Sequence, residues 1–377
     1  MEKMFLSMMF PVQPKNRPVV EMNSNAEFEI QSVLNHYPVG ELVDFQRNER
    51  GYVNTSFVIQ IERRGEREKY FLRRYKTGVS IEEIQFEHSI IQHLLANEFK
   101  IVAPVIKTTA GETFICKGQD TPIYYALFKF LSGEDRYTWI NPKCSPAELN
   151  SAAAALAQFH QAVSDLIPHG SKKEPKILEL LGSIPAHLEA CLASRNQVAL
   201  NSYLKRYATL ITRNVQWTQS ELEKLKCQVC PQIVIHCDYH PGNLQFTGEQ
   251  VSALFDFDWS KIDARCFDVG LAMFYFFVSW DADQNGRLDI EGAELFLKSY
   301  QAAFDDTAGI GPLSALELSC LPAMITAGNL YVFNWALLDI AHKLVDPVEY
   351  LVYLQHAVST IQWLDVEINQ AKLRAIL

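Results

Sequence analysis

Basic residues and long apolar runs are both scarce in this 377-residue sequence. Lys and Arg total 34 against 44 Asp and Glu, which gives a net charge of −10. Because nucleic acids and anionic membranes attract basic surfaces, this balance argues against both as partners. No apolar stretch approaches the ~20 residues that cross a bilayer. Internal repeats and low-complexity segments are also absent, and an apolar share of 48% is typical of a globular protein.

The eight cysteines lack the regular spacing of a disulfide framework. Their scatter is typical of free thiols in a reducing compartment, and it predicts a cytoplasmic protein. One pair, Cys227 and Cys230, has the separation seen in metal sites. A zinc ion needs two further ligands, and the nearby His236 belongs to another motif. The simpler interpretation of the pair is a turn that precedes a strand.

The first 25 residues are predicted to form a disordered leader. A short apolar stretch at the start is followed by Pro11 and Pro14, and no small-residue cleavage site is visible. Met22 is an alternative start. The remaining chain is long enough for two or three compact units with a full core.

The most informative motif follows a β-branched apolar stretch at residues 233–235, which predicts a buried strand. His236 comes first, Asp238 two residues later and Asn243 five residues after that, and Asp256 follows at the end of a predicted hairpin. Kinase-type phosphoryl transfer uses such a set. One carboxylate accepts the proton of the acceptor hydroxyl, while an Asn and a second Asp hold Mg²⁺ on the phosphates of ATP.

This pattern resembles the aminoglycoside phosphotransferase and choline kinase superfamily, and within it the homoserine kinase-like branch, over about residues 48–277. The loop from His236 to Asn243 resembles that family's catalytic loop, and Asp256 stands in the place of the kinase metal-binding Asp-Phe-Gly. Asp268 resembles the buried Asp that opens the next helix and braces the catalytic loop. The resemblance implies an α+β, protein-kinase-like fold with two lobes. A small β-rich N-lobe would span residues 26–131 and a mostly helical C-lobe residues 132–377.

Each motif residue then has a predicted role. Asp238 is the catalytic base, against the alternative of an Asp that caps a turn. Asn243 and Asp256 are the Mg²⁺ ligands, since Mg²⁺ prefers hard oxygen donors. On an extended segment Asp258 would face the same way as Asp256, as a second metal ligand or as a contact for a substrate amine. His236 is predicted to brace the loop.

The N-lobe is predicted from strands at residues 57–61, 70–73 and 124–128 and from a helix at residues 81–96. A shorter helix is predicted before them, at residues 27–36. The residues expected to bind the nucleotide are Gly51, Asn54, Arg73, Glu87, Lys129 and Leu131.

Arg73 stands where a kinase carries lysine, and it is expected to contact the phosphates, since arginine can grip phosphate bidentately. Arg74 and Lys76 are the alternatives. Glu87 is its expected ion-pair partner, unless it is simply a solvated charge. Gly51 belongs to a reduced phosphate-covering loop, and the backbone from Lys129 to Leu131 is the expected hinge beside adenine.

A missing segment identifies the acceptor class. Protein kinases place a long peptide platform after the metal-binding Asp, but Asp268 follows Asp256 within a dozen residues. The sequence therefore predicts a small-molecule kinase, monomeric or weakly dimeric, whose acceptor is an amine-bearing alcohol such as homoserine, an aminoglycoside, choline, ethanolamine or an amino sugar. The alternatives are a protein Ser/Thr kinase of the stress-response kind and a non-catalytic nucleotide-binding pseudokinase.

The acceptor pocket is expected among the helices after Asp268, where carboxylates and aromatic rings would suit an ammonium group. The candidate wall residues are Trp280, Asp281, Asp283, Asn329, Tyr331, Asn334, Trp335 and Asp339. The loop from Asp281 to Asp289 begins like a calcium-binding EF-hand loop. Gly292 occupies the position of its essential Glu, so an acidic surface loop is the favoured interpretation.

Overall fold

The computed structural model describes residues 19–48, 54–118, 120–193, 198–304, 309–342, 344 and 346–376. Gly51 and residues 1–18 of the predicted leader lie outside this set, so both assignments stay predictions. The first described helix, α1 (Val19–Leu34), begins well before residue 27, where the sequence predicted it. Its added turns contain asparagines, whose weak helix preference conceals a helix from pattern analysis.

A five-stranded antiparallel sheet forms the N-terminal lobe, in the order β1-β2-β3-β5-β4. Its strands are β1 (Glu41–Asn48), β2 (Thr55–Arg63), β3 (Glu66–Arg74), β4 (Ile115–Lys117) and β5 (Ile123–Lys129). The three predicted strands lie within β2, β3 and β5 and are confirmed. No pattern in the sequence predicted β1, because most of its residues are exposed and its apolar residues do not alternate. Pairing with β2 holds it in place.

Helix α2 (Ile81–Ala96) packs beside the sheet, as predicted. Ser80 and Glu83 form a reciprocal capping box at its start, which satisfies two backbone donors that a helix end otherwise leaves free. Ile84, Ile91 and other apolar residues face the core, and the charged residue Glu87 is buried among them. A buried carboxylate requires a partner, and Arg73 of β3 supplies one for Glu87.

Helices dominate the C-terminal lobe, with two small strand pairs between them, so the predicted α+β kinase-like architecture is confirmed. The helices are α3 (Pro146–Ala162), α4 (Ile177–Ala193), α5 (Val198–Lys224), α6 (Arg265–Phe277), α7 (Ile290–Ala302), α8 (Ala315–Ala341), α9 (Pro347–Leu364) and α10 (Glu367–Ala375). The strands are β6 (Gln232–Ile235), β7 (Leu244–Thr247), β8 (Gln250–Leu254) and β9 (Lys261–Ala264). β7 and β8 are the predicted hairpin, whereas β9, which pairs with β6, was not predicted.

Helix α8 is the central helix of this lobe. By its length and composition this helix could cross a membrane. Polar residues such as Thr326 and Asn329 divide its sequence, so it has no long uninterrupted apolar run. In its most apolar window, however, 83% of the residues are buried inside the protein. It packs closely against α6. Because α8 is surrounded by other helices, its surface can be apolar on all sides.

The expectation of free thiols is wrong for two cysteines. Cys227, in the short turn after α5, is bonded to Cys320 in α8, across 93 residues of sequence. Sequence spacing cannot reveal such a pair, because only the packing of the two helices brings the sulfur atoms together. Within the described part of the chain the other six cysteines are free thiols.

Candidate active site

A buried carboxylate holds the predicted catalytic loop where it leaves β6. Asp268, in the first turn of α6, accepts hydrogen bonds from the backbone N–H groups of His236 and Cys237, each at 2.8 Å. The Nε2 atom of His160 is 2.9 Å from the same carboxylate, and the hydroxyl of Tyr300 is 2.8 Å from His160 Nδ1. The prediction that Asp268 braces the catalytic loop is therefore confirmed.

The ionisation of this network follows from its burial. Burial lowers the pKa of His160, so its neutral ring donates to Asp268 and accepts from Tyr300. Burial also opposes the charged form of Asp268, but the contacts with His160 and His236 together outweigh it and keep the pKa of Asp268 below its usual value. The loop is thus anchored on a permanently charged carboxylate.

Two residues beside the functional carboxylates have left-handed backbone conformations. Cys237 has φ of 62° and Asp256 has φ of 65°. Such conformations cost a non-glycine residue about 1–3 kcal/mol and are found mainly at functional sites. The hydrogen bond from Cys237 N–H to Asp268 offsets this cost at the catalytic loop.

Asp238 lies next to the strained Cys237 and is held from two sides. Asn243 donates from Nδ2 to both the backbone oxygen and Oδ2 of Asp238, each at 2.9 Å. His240 Nε2 is 3.4 Å from the same Oδ2. His236 Nε2 is 2.9 Å from the backbone oxygen of Phe255, so its ring ties the loop to the segment that leads into Asp256. This is the bracing role predicted for His236.

Arg73 joins the two lobes at the centre of the site. Its Nη1 is 2.8 Å from Glu87 Oε1 and 2.6 Å from Asp258 Oδ1, and its Nη2 is 3.6 Å from Asp256 Oδ1. Burial alone would lower the pKa of Arg73, but the three carboxylates raise it far above its usual value. Glu87 is therefore a buried ion-pair partner of Arg73 and not a solvated charge. Arg74 and Lys76 do not occupy this position: Arg74 lies beside Glu29 and Lys76 over the ring of Trp259.

The segment after β8 is a turn and not the extended strand assumed from the spacing of Asp256 and Asp258. Residues Phe257–Trp259 form a short 3₁₀ turn after the left-handed Asp256. Both carboxylates nevertheless reach Arg73, because the turn and the left-handed residue together reverse the chain. Asn54 contacts the same cluster through Asp258 Oδ2, and its Oδ1 accepts from the backbone N–H of Lys76 at 2.9 Å.

The expected hinge lies at the end of β5. The backbone N–H of Lys129 donates to Pro104 at 2.9 Å, and that of Phe130 is 3.4 Å from the oxygen of Lys69. These bonds fix the segment that leads into Leu131. Because both N–H groups are already used, an adenine base would have to bind to other backbone groups of this segment. The roles of Lys129 and Leu131 stay predictions.

A cavity of about 540 Å³ opens beside Asp258, between α2, α4 and α8. Of the eight predicted wall residues it is lined by Tyr331, Asn334, Trp335 and Asp339. The other four lie elsewhere. Asn329 is buried and donates to Ala357, Trp280 stacks on His356, and Asp281 accepts from Asn141 at the surface.

Comparison with known proteins shows which family this site belongs to. Residues 44–305 match the phosphotransferase enzyme family. The chain belongs to this family. It is 24% identical to a homoserine kinase of Methylocella silvestris over 299 residues, which is 79% of this chain and 81% of that enzyme.

Two solved structures share the fold of this phosphotransferase. A microcompartment-associated aminopropanol kinase aligns with a TM-score of 0.67 at 16% identity, over 93% of this chain and 99% of that chain. Choline kinase from Cryptosporidium parvum aligns with a TM-score of 0.62 at 14% identity, over 93% and 98%. The predictions of the family, of its bilobal kinase-like fold and of a phosphotransferase that acts on a small-molecule hydroxyl are confirmed.

The donor set of the phosphotransferase fits a divalent cation. Asp256, Asp258 and Glu87 present three carboxylates to the single guanidinium of Arg73. Burial and then the carboxylate of Asp258 raise the pKa of Asp256 to about 7, although 40% of its side chain is exposed. Burial is the larger cause of this rise, and the negative charge of Asp258, which a cation would neutralise, adds to it. The exposed part of the side chain leaves a ligand oxygen accessible.

Several functional contacts were missed because the sequence gives no local signal for them. Lys172 contacts the backbone oxygen of Asp258 through Nζ, but it lies in a polar loop with other lysines nearby. His160 lies near the end of the alanine-rich helix α3, where no motif marks it. Tyr275 lies close to Asp238. Burial is the largest cause of the raised pKa of Tyr275, and the Asp238 carboxylate is the second.

We expect Asp268→Asn to lower the free energy of unfolding by about 2–5 kcal/mol, because an amide cannot accept all three hydrogen bonds and leaves buried donors unpaired. Urea denaturation measures the change. Asp165→Asn is the matched control: Asp165 also contacts a histidine, His93, but its side chain is 78% exposed, so stability should change by less than about 0.5 kcal/mol. Equal stability of the two variants would contradict the anchoring role of Asp268.

Proposed function

We propose that this phosphotransferase transfers the γ-phosphoryl group of ATP, with Mg²⁺, to the hydroxyl of a small amine-bearing alcohol. We further propose that it acts in the cytoplasm as a monomer or weak homodimer. The observation that supports the acceptor class is the charge of the cavity beside Asp258. Its lining contains five carboxylates and two lysines: Glu83, Glu87, Glu174, Asp258 and Asp339 against Lys76 and Lys172.

The proposed chemistry assigns one task to each residue. Asp238 accepts the proton of the acceptor hydroxyl at a carboxylate oxygen, and Asn243 keeps that carboxylate in place. Arg73 contacts the phosphates, and Glu87 positions it. Mg²⁺ held by Asn243, Asp256 and Asp258 would neutralise charge on the transferred phosphoryl group.

Tyr275 lies near both Asp238 and Glu174. Burial is the largest cause of its raised pKa, and both carboxylates raise it further. Glu174 lines the cavity, and its Oε2 atom is buried with no hydrogen-bond partner in the described part of the chain. An ammonium group would supply the missing donor. Trp335, from α8, adds an aromatic face suited to cation–π contact.

Names of similar proteins agree with this acceptor class. The relative and the two structures named above are described as kinases of homoserine, aminopropanol and choline, each of which is an amino alcohol. Homoserine is our first candidate, because the sequence relative carries that name.

The alternative of a protein kinase is disfavoured by the segment after Asp256. Residues 254–277 are all described, and they form a 3₁₀ turn, β9 and α6 in immediate succession. β9 is paired with β6 over four residues, so this segment is part of the catalytic core and offers no platform for a peptide. The pseudokinase alternative predicts the loss of Asp238, Asn243 or Asp256, and all three are present.

An acceptor panel tests the proposal. We expect ADP release with homoserine, aminopropanol, choline, ethanolamine or an aminoglycoside, and little with neutral sugars. Glu174→Gln should raise KM for the preferred amine about tenfold or more, as expected for the loss of a charged hydrogen bond. Glu179→Gln, on the exposed side of α4, is the matched control and should leave KM unchanged. Efficient phosphorylation of a neutral sugar with indifference to amines would refute the acceptor class.

A further inference from the structure

Four buried cysteines from distant parts of the sequence meet at one place in the C-terminal lobe. The Sγ atoms of Cys227, Cys230 and Cys320 all lie within 4.8 Å of one another. The thiol of Cys266 lies within hydrogen-bonding reach of Cys230. All four side chains are at most 2% exposed. Two of these cysteines form the disulfide of the described structure, and the other two are free thiols.

We propose that the reduced chain binds one thiophilic divalent metal ion, of the Zn²⁺ class, through Cys227, Cys230, Cys266 and Cys320. Structural zinc sites are tetrahedral with four sulfur or nitrogen ligands, and a Cys-x2-Cys pair commonly supplies two of them. The sequence showed only that pair. The fold adds a third cysteine from α6 and a fourth from α8, so the ligand set is complete. This site is separate from the proposed kinase reaction.

The required distances are close to those present. Zn–S bonds of 2.3 Å in a tetrahedron place neighbouring sulfur atoms about 3.8 Å apart. Cys227, Cys230 and Cys320 already lie within 4.8 Å of one another. Cys227 and Cys320 must separate once their bond is reduced, and Cys266, which lies beside Cys230, must approach the other two sulfur atoms. A dithiol reductant supplies the two electrons and two protons, becoming a disulfide itself, and leaves two cysteine thiols. Metal binding then releases the thiol protons to solvent.

An ion pair holds the ligand-bearing elements together. Arg265, which precedes Cys266, is bonded through Nε and Nη2 to Glu317 at 2.9 and 2.7 Å. Glu317 lies one helical turn before Cys320 on α8. The backbone N–H of Arg265 also donates to Pro231, the residue after Cys230, at 3.0 Å. The start of α6 is therefore fixed to both neighbours, and the ligands are preorganised.

The helix start favours a thiolate at Cys266, whereas the contact with Cys230 and burial raise the pKa of the free thiol, so that a metal ion is needed to hold it deprotonated. Cys266 lies in the first turn of the 13-residue helix α6, where the partial positive charge of the helix end stabilises an anion. Asp268, which anchors the catalytic loop, follows two residues later. A metal at the cluster would thus tie the turn after α5, the start of α6 and α8 into one unit below the catalytic loop.

Metal content of the full-length protein tests the proposal. The protein is reduced with a dithiol, incubated with zinc chloride and exchanged into metal-free buffer, and zinc is measured by mass spectrometry. We expect about one zinc ion per chain. Most of this zinc should be lost in Cys266→Ser, a variant that keeps both cysteines of the disulfide, Cys227 and Cys320. Cys191→Ser is the matched control, since Cys191 is equally buried on α4 but bonds only to the backbone of Leu337, and it should retain the zinc.

Cobalt substitution of the wild-type protein keeps the test decisive if a variant fails to fold. Four thiolates give tetrahedral cobalt its strong visible bands, with charge-transfer intensity that increases with each sulfur ligand. A spectrum of four thiolates supports the site. A reduced wild-type protein that retains no metal, fewer than four thiolates on cobalt, or undiminished zinc in Cys266→Ser would each overturn it.

Discussion

Asp238→Asn is expected to reduce turnover by about 10²-fold or more while leaving ATP affinity nearly unchanged. An asparagine fits the same space and can still accept the hydrogen bond from Asn243, so the loop should keep its shape. What it cannot do is accept the proton of the acceptor hydroxyl, and a positioned base contributes about 10²–10⁴-fold to such a reaction. Steady-state ADP release with the preferred acceptor measures turnover, and calorimetric titration measures nucleotide affinity.

The matched control for this variant is Asp283→Asn. Asp283 is exposed and lies outside the lining of the cavity, so the same chemical change there should leave turnover as it is. Near-normal turnover of Asp238→Asn would remove Asp238 as the base. His240, whose Nε2 is 3.4 Å from Asp238, would then be the next group to test.

Asp256→Ala is expected to abolish Mg²⁺-dependent nucleotide binding, because a methyl group cannot replace a carboxylate that joins the metal to the phosphates. The fold should tolerate the change, since Arg73 keeps its shorter contacts to Glu87 and Asp258. Calorimetric titration of wild type and variant with MgATP, repeated without Mg²⁺, separates loss of the metal site from loss of the nucleotide site.

Two comparisons make that result interpretable. Asp165→Ala changes an exposed carboxylate that does not line the cavity, and this variant should bind MgATP like the wild type. Asp258→Ala removes the carboxylate that also holds Arg73 at 2.6 Å, so it should weaken binding even without Mg²⁺. If Asp256→Ala and the wild type bind MgATP equally, the metal lies elsewhere and Asp258 becomes its main ligand.

Local signals explain which elements the sequence could predict. β2 and α2 have regular apolar periodicity, and the capping box at Ser80 marks where α2 begins. β1 and β9 have no such pattern, because they are stabilised by pairing with β2 and β6. Pairing between distant strands is a tertiary interaction, and no window of sequence contains it.

The proposed acceptor pocket was predicted only in part, for a related reason. Its residues from α8 were identified because polar and aromatic side chains in an apolar helix are unusual. Glu174 and Lys172 could not be identified, since charged residues in a polar loop are ordinary until the fold buries them beside Asp258. Asn329 was assigned to the pocket by the same reasoning as Asn334, and only the packing of α9 shows that it serves the core.

The sequence by itself determined the family and the kinase-like fold and supplied the residues proposed for the catalytic loop, because phosphoryl transfer requires specific residue types at fixed short spacings. Only the tertiary structure decided which groups converge from a distance. It placed Arg73 between Glu87 and Asp258, showed that His160 supports Asp268, and grouped Cys227, Cys230 and Cys320, with Cys266 beside Cys230. These contacts arise from the packing of elements up to a hundred or more residues apart, and spacing along the chain carries no information about them.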